Sequence, residues 1–218
     1  MRLHETKITL AEALADLSEE KPLKKISVSD IVSKVGINRK TFYYHFTDKT
    51  DLLIWLFRHD MATALRQYTE EEDLLYTNTN SDLDLFPYYV FIKEGVRSLD
   101  GSPFVRALVS AFEKRRPLYA QALADNSPDG LPAYLRELYT PALYCDTEYI
   151  LSNRFLEKDQ RCFLAQYQFE ALLAYISLKL SQQEENIIES FGPFGNIVHA
   201  SIADAIARHQ QQRAANHT

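Results

Sequence analysis

The segment GINRKTFYYHFTDK, residues 36–49, brings Arg39, Lys40 and Lys49 together with the hydroxyls of Thr41, Tyr43 and Tyr44 and the imidazole of His45. This is a set of hydrogen-bond donors and cations, suited to holding phosphate oxygens and base edges rather than to breaking bonds. Chemistry of the bond-breaking kind finds no support elsewhere. The chain has no Gly-rich phosphate loop, no nucleophile-elbow serine and no carboxylates clustered at metal spacing. His59, His199 and His209 show no paired ligand spacing, so neither a metal nor a cofactor is expected.

The charge around that segment is uneven. The 218-residue chain has a formal net charge of −6, yet residues 21–50 carry seven Lys/Arg (Lys21, Lys24, Lys25, Lys34, Arg39, Lys40, Lys49) against two acids (Asp30, Asp48). A local basic patch on an acidic protein points to a polyanionic partner at one surface. The EKRR run at 113–116 reads as a solvated helix end, a second anion site being the alternative, and the acids of TEEED, at 70–73, read as a loop.

Helices must position these groups. Leu3, Ile8, Leu10, Leu14 and Leu17 follow the spacing of an amphipathic helix that Pro22 stops. Ser27 is an N-cap candidate with Asp30 three residues on, where a capping-box acid belongs. Ile31, Val32 and Val35 give that helix one apolar side. Gly36 sits where a left-handed residue ends it, Ile37 plugs the turn, and Asn38 caps the next helix over about 39–45. Phe42 and Phe46, four apart, face inward and leave Arg39, Lys40, Tyr43 and Tyr44 outside. Helix, glycine turn, helix with a cationic outer face is the helix-turn-helix. In a major groove, Arg39 and Lys40 reach guanine O6 and N7. Thr41, Tyr43 and His45 donate to phosphates, and Lys49 meets one at the next helix's N-terminus. That next helix is expected from about Asp48 to Tyr68.

Residues 8–53 resemble the N-terminal DNA-binding domain of TetR-family transcriptional regulators, with DIVSKVGINRKTFYYHFTDKTDLL carrying the likeness. GINRKTFYYHF followed by DLLIWLF is similar in particular to the branch containing dihydroxyacetone kinase operon regulators. The resemblance implies that Ser29, Arg39, Lys40 and Tyr44 face the groove, and that Thr41, Tyr43, His45 and Lys49 contact phosphates. Position 40 is often glycine in the family and position 44 often basic, so the operator read here is its own. The resemblance also implies a C-terminal helical body that forms a homodimer and binds a small-molecule effector.

The body supports those roles on its own residues. CFLAQYQFEALLAYISLKL, 162–180, is apolar nearly all round and must be covered on more than one side. Ile197, Val198, Ile202 and Ile206 supply a second stripe, and the two helices per subunit would make a four-helix interface. The body is rich in aromatics, which suit an apolar pocket with hydroxyl handles. Tyr139, Tyr144, Tyr167 and Tyr175 are the expected lining, from their place on the central helices. Cys145 and Cys162 form no metal or CxxC spacing and read as reduced core residues.

The fold expected is all-α: a helix-turn-helix domain over residues 1–50 and a larger ligand-binding and dimerisation domain over 51–218. No segment alternates as a strand does. The N-terminus lacks the apolar core of a signal peptide and no apolar run is long enough for a bilayer, so the protein is expected in the cytoplasm, without a membrane. The function these readings imply is a ligand-responsive transcriptional regulator, as a repressor. Its partners are a near-palindromic double-stranded operator, a second copy and an unknown effector. The alternative is a co-activator or adaptor that works mainly through a protein partner.

Overall fold

The computed structural model describes residues 3–90, 102–150, 156–183 and 186–191, together with 204, 207, 208 and 211. The expected dimer residues Ile197, Val198, Ile202 and Ile206 lie outside the described residues, as do His199 and His209. The helices run α1 Leu3–Glu20, α2 Val28–Val35, α3 Arg39–His45, α4 Lys49–Tyr68, α5 Pro103–Lys114, α6 Arg116–Leu123, α7 Leu131–Ile150 and α8 Lys158–Ser181. Among the described residues no helix is long and apolar enough to cross a membrane.

Local chemistry sets the N-terminal elements. The Ser27 backbone N–H donates to Asp30 Oδ2 at 2.7 Å and the Asp30 N–H donates back to Ser27 Oγ at 3.3 Å, a closed capping box. Gly36 ends α2 at φ 75°, and its N–H donates to the Val32 carbonyl at 2.9 Å. Asn38 Oδ1 accepts from the Thr41 N–H at 2.9 Å and Asp48 Oδ1 from the Asp51 N–H at 2.9 Å, so α3 and α4 start where the sequence places them. A methyl added at Gly36 would meet nothing within 4 Å. Gly36→Ala is therefore expected to lose only the left-handed backbone penalty, about 1–2 kcal/mol, read as a lower urea midpoint without loss of the fold.

Helix α4 joins the two parts. It packs on α1 at one end and on α5, α7 and the strands along the rest, and one apolar core runs from Leu10 to Ile187. Helices α7 and α8 lie against each other, tied by Arg136 to Glu170 and by the Tyr139–Phe169 ring contact at 5.5 Å.

Three expectations are corrected. A two-stranded antiparallel ribbon, β1 Leu74–Tyr76 and β2 Pro87–Val90, pairs Leu74 with Val90 and Leu75 with Tyr89. Strands of three and four residues are too short to show alternation. They hold because Leu74, Phe86, Tyr89 and Val90 bury against α4 and its neighbours, while Asp84 ties the loop through Thr77, Thr79 and Ser81. Cys145 and Cys162 are free, as expected, but exposed rather than core. The EKRR run is not a solvated end: Lys114 and Arg115 are spent on a buried acid of α4, described below.

Candidate nucleic-acid interface

The apolar side of α3 fixes the direction of its polar side. Phe42 and Phe46 are buried, their rings 5.9 Å apart, and Phe46 meets Trp55 of α4 edge-on at 6.0 Å. Arg39 and Lys40 are exposed on the other side, with Tyr43 56% and Tyr44 73% accessible. Two large aromatics left in water beside two cations form a surface suited to stacking on, and bonding to, a polyanion.

The groups on that surface are held to different degrees. The Arg39 guanidinium donates to Ser29 Oγ on α2, which ties the two helices' outward side chains together. The Thr41 hydroxyl donates to Asn38 Oδ1 at 3.2 Å. His45 is half-buried with no partner at Nδ1, and burial pushes its imidazole down, so it meets the solvent neutral at pH 7. Lys49 differs from its expected surroundings. Its ammonium donates to the Leu23 and Ile26 carbonyls at 2.7 and 2.9 Å, bracing α4 against the turn before α2. Burial pushes that lysine down, and a phosphate would have to compete with two carbonyls for it.

The seven cations of residues 21–50 are not equal either. Lys21 pairs with Asp30 at 2.8 Å and Lys34 with Glu20 at 2.8 Å. The Lys21 ammonium and the Ser27 hydroxyl hold the Asp30 carboxyl well below the usual carboxylate range. Lys24, Lys25, Arg39 and Lys40 enter no ion pair among the described residues, so they carry the patch's free positive charge.

In the body, the four tyrosines expected to line a pocket do not converge. Tyr139 is fully enclosed, ringed by Tyr88, Tyr89, Phe104 and Phe169. Tyr144 is half-buried under the Arg161 guanidinium at 4.9 Å, and Tyr175 packs on Phe191 at 5.3 Å. Tyr167 is half exposed, stacked on Phe163 on the outer side of α8.

Three polar side chains that the sequence reading did not single out connect the elements. Gln121 of α6 donates to the Ser18 carbonyl at 2.9 Å and accepts from the Leu23 N–H at 2.7 Å, stitching the body to α1 and the turn before α2. Asp60, with no exposed side-chain surface, accepts from Lys114 Nζ at 2.7 Å, Arg115 Nε at 3.0 Å and the Tyr119 hydroxyl at 2.8 Å. Arg58 is 1% exposed and holds the Leu83 and Phe86 carbonyls at 3.0 and 2.7 Å. The available signal was a charged pair inside the apolar run WLFRHDMA, 55–62.

Residues 10–55 match the family described as bacterial regulatory proteins, tetR family. The chain is 35% identical over 65 residues to the HTH-type dhaKLM operon transcriptional activator DhaS of Lactococcus lactis, covering 30% of this chain and 35% of that protein. It is 30% identical over 69 residues to the HTH-type transcriptional regulator SAB2452 of Staphylococcus aureus, covering 32% and 37%. Against the HTH-type transcriptional regulator EthR of Mycobacterium tuberculosis it is 29% identical over 124 residues, covering 52% and 57%. These matches span from about a third to just over half of the relatives' own length. A solved structure of the dihydroxyacetone kinase operon activator DhaS aligns over 94% of this chain and 95% of that one, with a TM-score of 0.49 and 18% identity. With the helix-turn-helix built as described, residues 10–55 form an N-terminal domain of the type described as bacterial regulatory proteins, tetR family.

Proposed function

We propose that the chain acts in the cytoplasm as a homodimer whose two α3 helices read a near-palindromic operator, and that a small molecule held by the body lowers operator affinity, as in a repressor. Residues 1–50 form the DNA-binding unit and 51–218 the regulatory unit. The family is non-enzymatic. The observation that carries the reading is the outward face of α3, where Arg39, Lys40, Tyr43 and Tyr44 stand exposed above a buried Phe42–Phe46 pair. Arg39, Lys40 and Tyr44, with Ser29 behind Arg39, read the groove. Thr41, Tyr43, His45 and Lys49 hold the backbone. A short helix reads few bases, so specificity needs two copies on successive grooves.

Helix α8 supports the second copy. It buries Ala165, Phe169, Leu172, Leu173, Ile176 and Leu180, and exposes Phe163 at 65%, Tyr167 at 50% and Leu178 at 52% on its other side. Large apolar side chains on one outer stripe mark a protein interface. Replacing Phe163 and Tyr167 together by glutamate is expected to give a monomer in sedimentation velocity and to abolish operator binding. A dimer that survives both changes would place the interface elsewhere.

The relative named as an operon activator supports a second reading, in which the bound protein recruits a partner instead of blocking one. Fluorescence anisotropy on the DNA upstream of the gene, titrated across salt, tests the common ground. Selective binding that weakens steeply with salt is expected. Equal affinity for random DNA would overturn both readings. A promoter fusion with the gene removed then separates them: expression rises for a repressor and falls for an activator.

A further inference from the structure

Buried charge in this body is treated in two opposite ways. Asp60 has three donors from the α5–α6 elbow around it. Arg58, two residues earlier on α4, is equally enclosed but enters no ion pair among the described residues. Its guanidinium donates to the Tyr134 hydroxyl at 2.8 Å, to the Leu83 and Phe86 carbonyls and, at 3.5 Å, to the Thr77 hydroxyl, which itself donates to Asp84. All its direct acceptors are neutral, the Asp84 carboxylate is reached only through Thr77, and its Nε–H has no partner. Neutral carbonyls fix a guanidinium in place without balancing its charge, and a buried charge without a counter-charge is costly.

The neighbouring hydroxyls have the same polarity. Tyr139, fully enclosed, has a hydroxyl with no partner. Tyr134 accepts from Arg58, which leaves its own proton free to donate. Burial pushes both phenols up, so each stays an O–H donor at neutral pH. Tyr88 connects the two: its ring lies 5.7 Å from the Arg58 guanidinium and stacks on Tyr139 at 6.2 Å. Phe104 and Phe169 complete an apolar wall at 5.0 and 5.5 Å from the Tyr139 ring. Tyr88 and Tyr134 are partly buried and form the solvent side of the cluster. Three available donors, a cation in direct contact with no carboxylate and aromatic walls describe a receptor for one class of molecule.

We propose that the body's effector is a small organic anion, a carboxylate on an apolar or aromatic frame, bound with its charged end on Arg58 Nε and the Tyr134 and Tyr139 hydroxyls. This rests on the reading that the body receives an effector, and it names the effector's class. The cluster is closed in this structure, so the Tyr88 ring must move off the guanidinium for the anion to enter. Arg58 also holds the carbonyl of Phe86, whose ring lies 5.5 Å from Trp55, the chain's one tryptophan. Trp55 in turn packs on Phe46 behind the recognition helix. Occupation of Arg58 therefore acts on the support of α3.

The test is calorimetry on the full chain with benzoate, its neutral counterpart benzamide, and inorganic phosphate, alongside operator anisotropy on the same samples. Benzoate is expected to bind at least about tenfold more tightly than benzamide, the worth of a charge-assisted contact. It should also bind more tightly than phosphate, which lacks the apolar frame. Tyr139→Phe keeps the ring and removes only the unpaired hydroxyl, so it should melt at or above the parent temperature and weaken benzoate by about fivefold or more. Arg58→Lys should weaken benzoate further where it folds. Equal binding of benzoate and benzamide overturns the proposal, as does no benzoate binding up to about 10 mM. A Tyr139→Phe protein that melts clearly lower also overturns it, since the hydroxyl would then have a partner within the fold. Selective operator binding with no response to benzoate would sink this inference alone, whereas loss of selective operator binding would sink the regulator reading.

Discussion

Replacing Asp60 with alanine is expected to cost about 3–5 kcal/mol of folding stability, the cost of removing one partner from a buried ion pair. The carboxylate has no exposed surface, and it pairs with both Lys114 and Arg115 while accepting the hydroxyl of Tyr119, which is itself fully buried. Removing it strands one enclosed hydroxyl and leaves two cations side by side at the α5–α6 elbow. Lys114 is partly in water and can rehydrate, which holds the loss toward the lower end of that range. The pH dependence has a definite sign. Burial alone would push the Asp60 carboxyl up, but the His59 ring at 3.7 Å, the hydrogen bonds from Lys114 and Tyr119 and the Arg115 charge outweigh it and hold the group below its ordinary value. The stabilisation is therefore fully present above the unfolded carboxylate's pKa, about 4, and drains away as pH falls through the lower folded value. Urea midpoints measured from pH 7 to pH 3 should fall for the parent and fall less steeply for Asp60→Asn, which cannot carry the charge at any pH. Identical slopes would mean that the pair of cations adds nothing to stability. Since α4 also carries Trp55 beneath the recognition helix, the alanine variant should lose operator affinity along with stability.

What the sequence allowed to be read divides by distance along the chain. Ser27 with Asp30, Gly36, Asn38 with Thr41 and Asp48 with Asp51 all answer to neighbours within three or four residues, so the helix-turn-helix was legible down to its caps. Asp60 and Arg58 answer to partners in other elements, Lys114 and Tyr134 among them, and no local rule announces such pairings. The same blindness made EKRR look solvated. Cys145 and Cys162 were read as core because cysteine usually is, yet a residue type's average says nothing about which side of α7 or α8 it occupies. The pocket tyrosines failed to converge for a related reason. Choosing Tyr139 and Tyr167 by helix rather than by helical face put one at the centre of the core and the other in water. The ribbon at 74–90 escaped because its strands are held by what they bury, not by their own alternation.

The second large effect lies at the surface and leaves the fold alone. Arg39→Ala combined with Lys40→Ala is expected to weaken selective operator binding by at least about 100-fold, because each lost bidentate base contact is worth about 1–3 kcal/mol and a dimer loses it at both half-sites. Both side chains are exposed, and neither contributes to the buried Phe42–Phe46 pair. The one bond broken, from Arg39 to Ser29, returns a partly exposed hydroxyl to water. Folding stability should therefore stay within about 0.5 kcal/mol of the parent. The salt dependence should also flatten, by about one unit of slope for every phosphate-neutralising cation removed. Lys34→Ala is the informative comparison. It removes one positive charge from the same basic region, but that charge is already matched by Glu20 at 2.8 Å, which raises the lysine's pKa further. It should cost far less affinity and leave selectivity intact. A loss from Lys34→Ala as large as that of the α3 variant would mean that bulk charge draws the DNA in, with no face doing the reading. Selectivity retained by the double variant would remove α3 from the interface altogether. Anisotropy titrations of the three proteins on operator and on random DNA, at two salt concentrations, separate these outcomes, because geometry and net charge predict different orders among them.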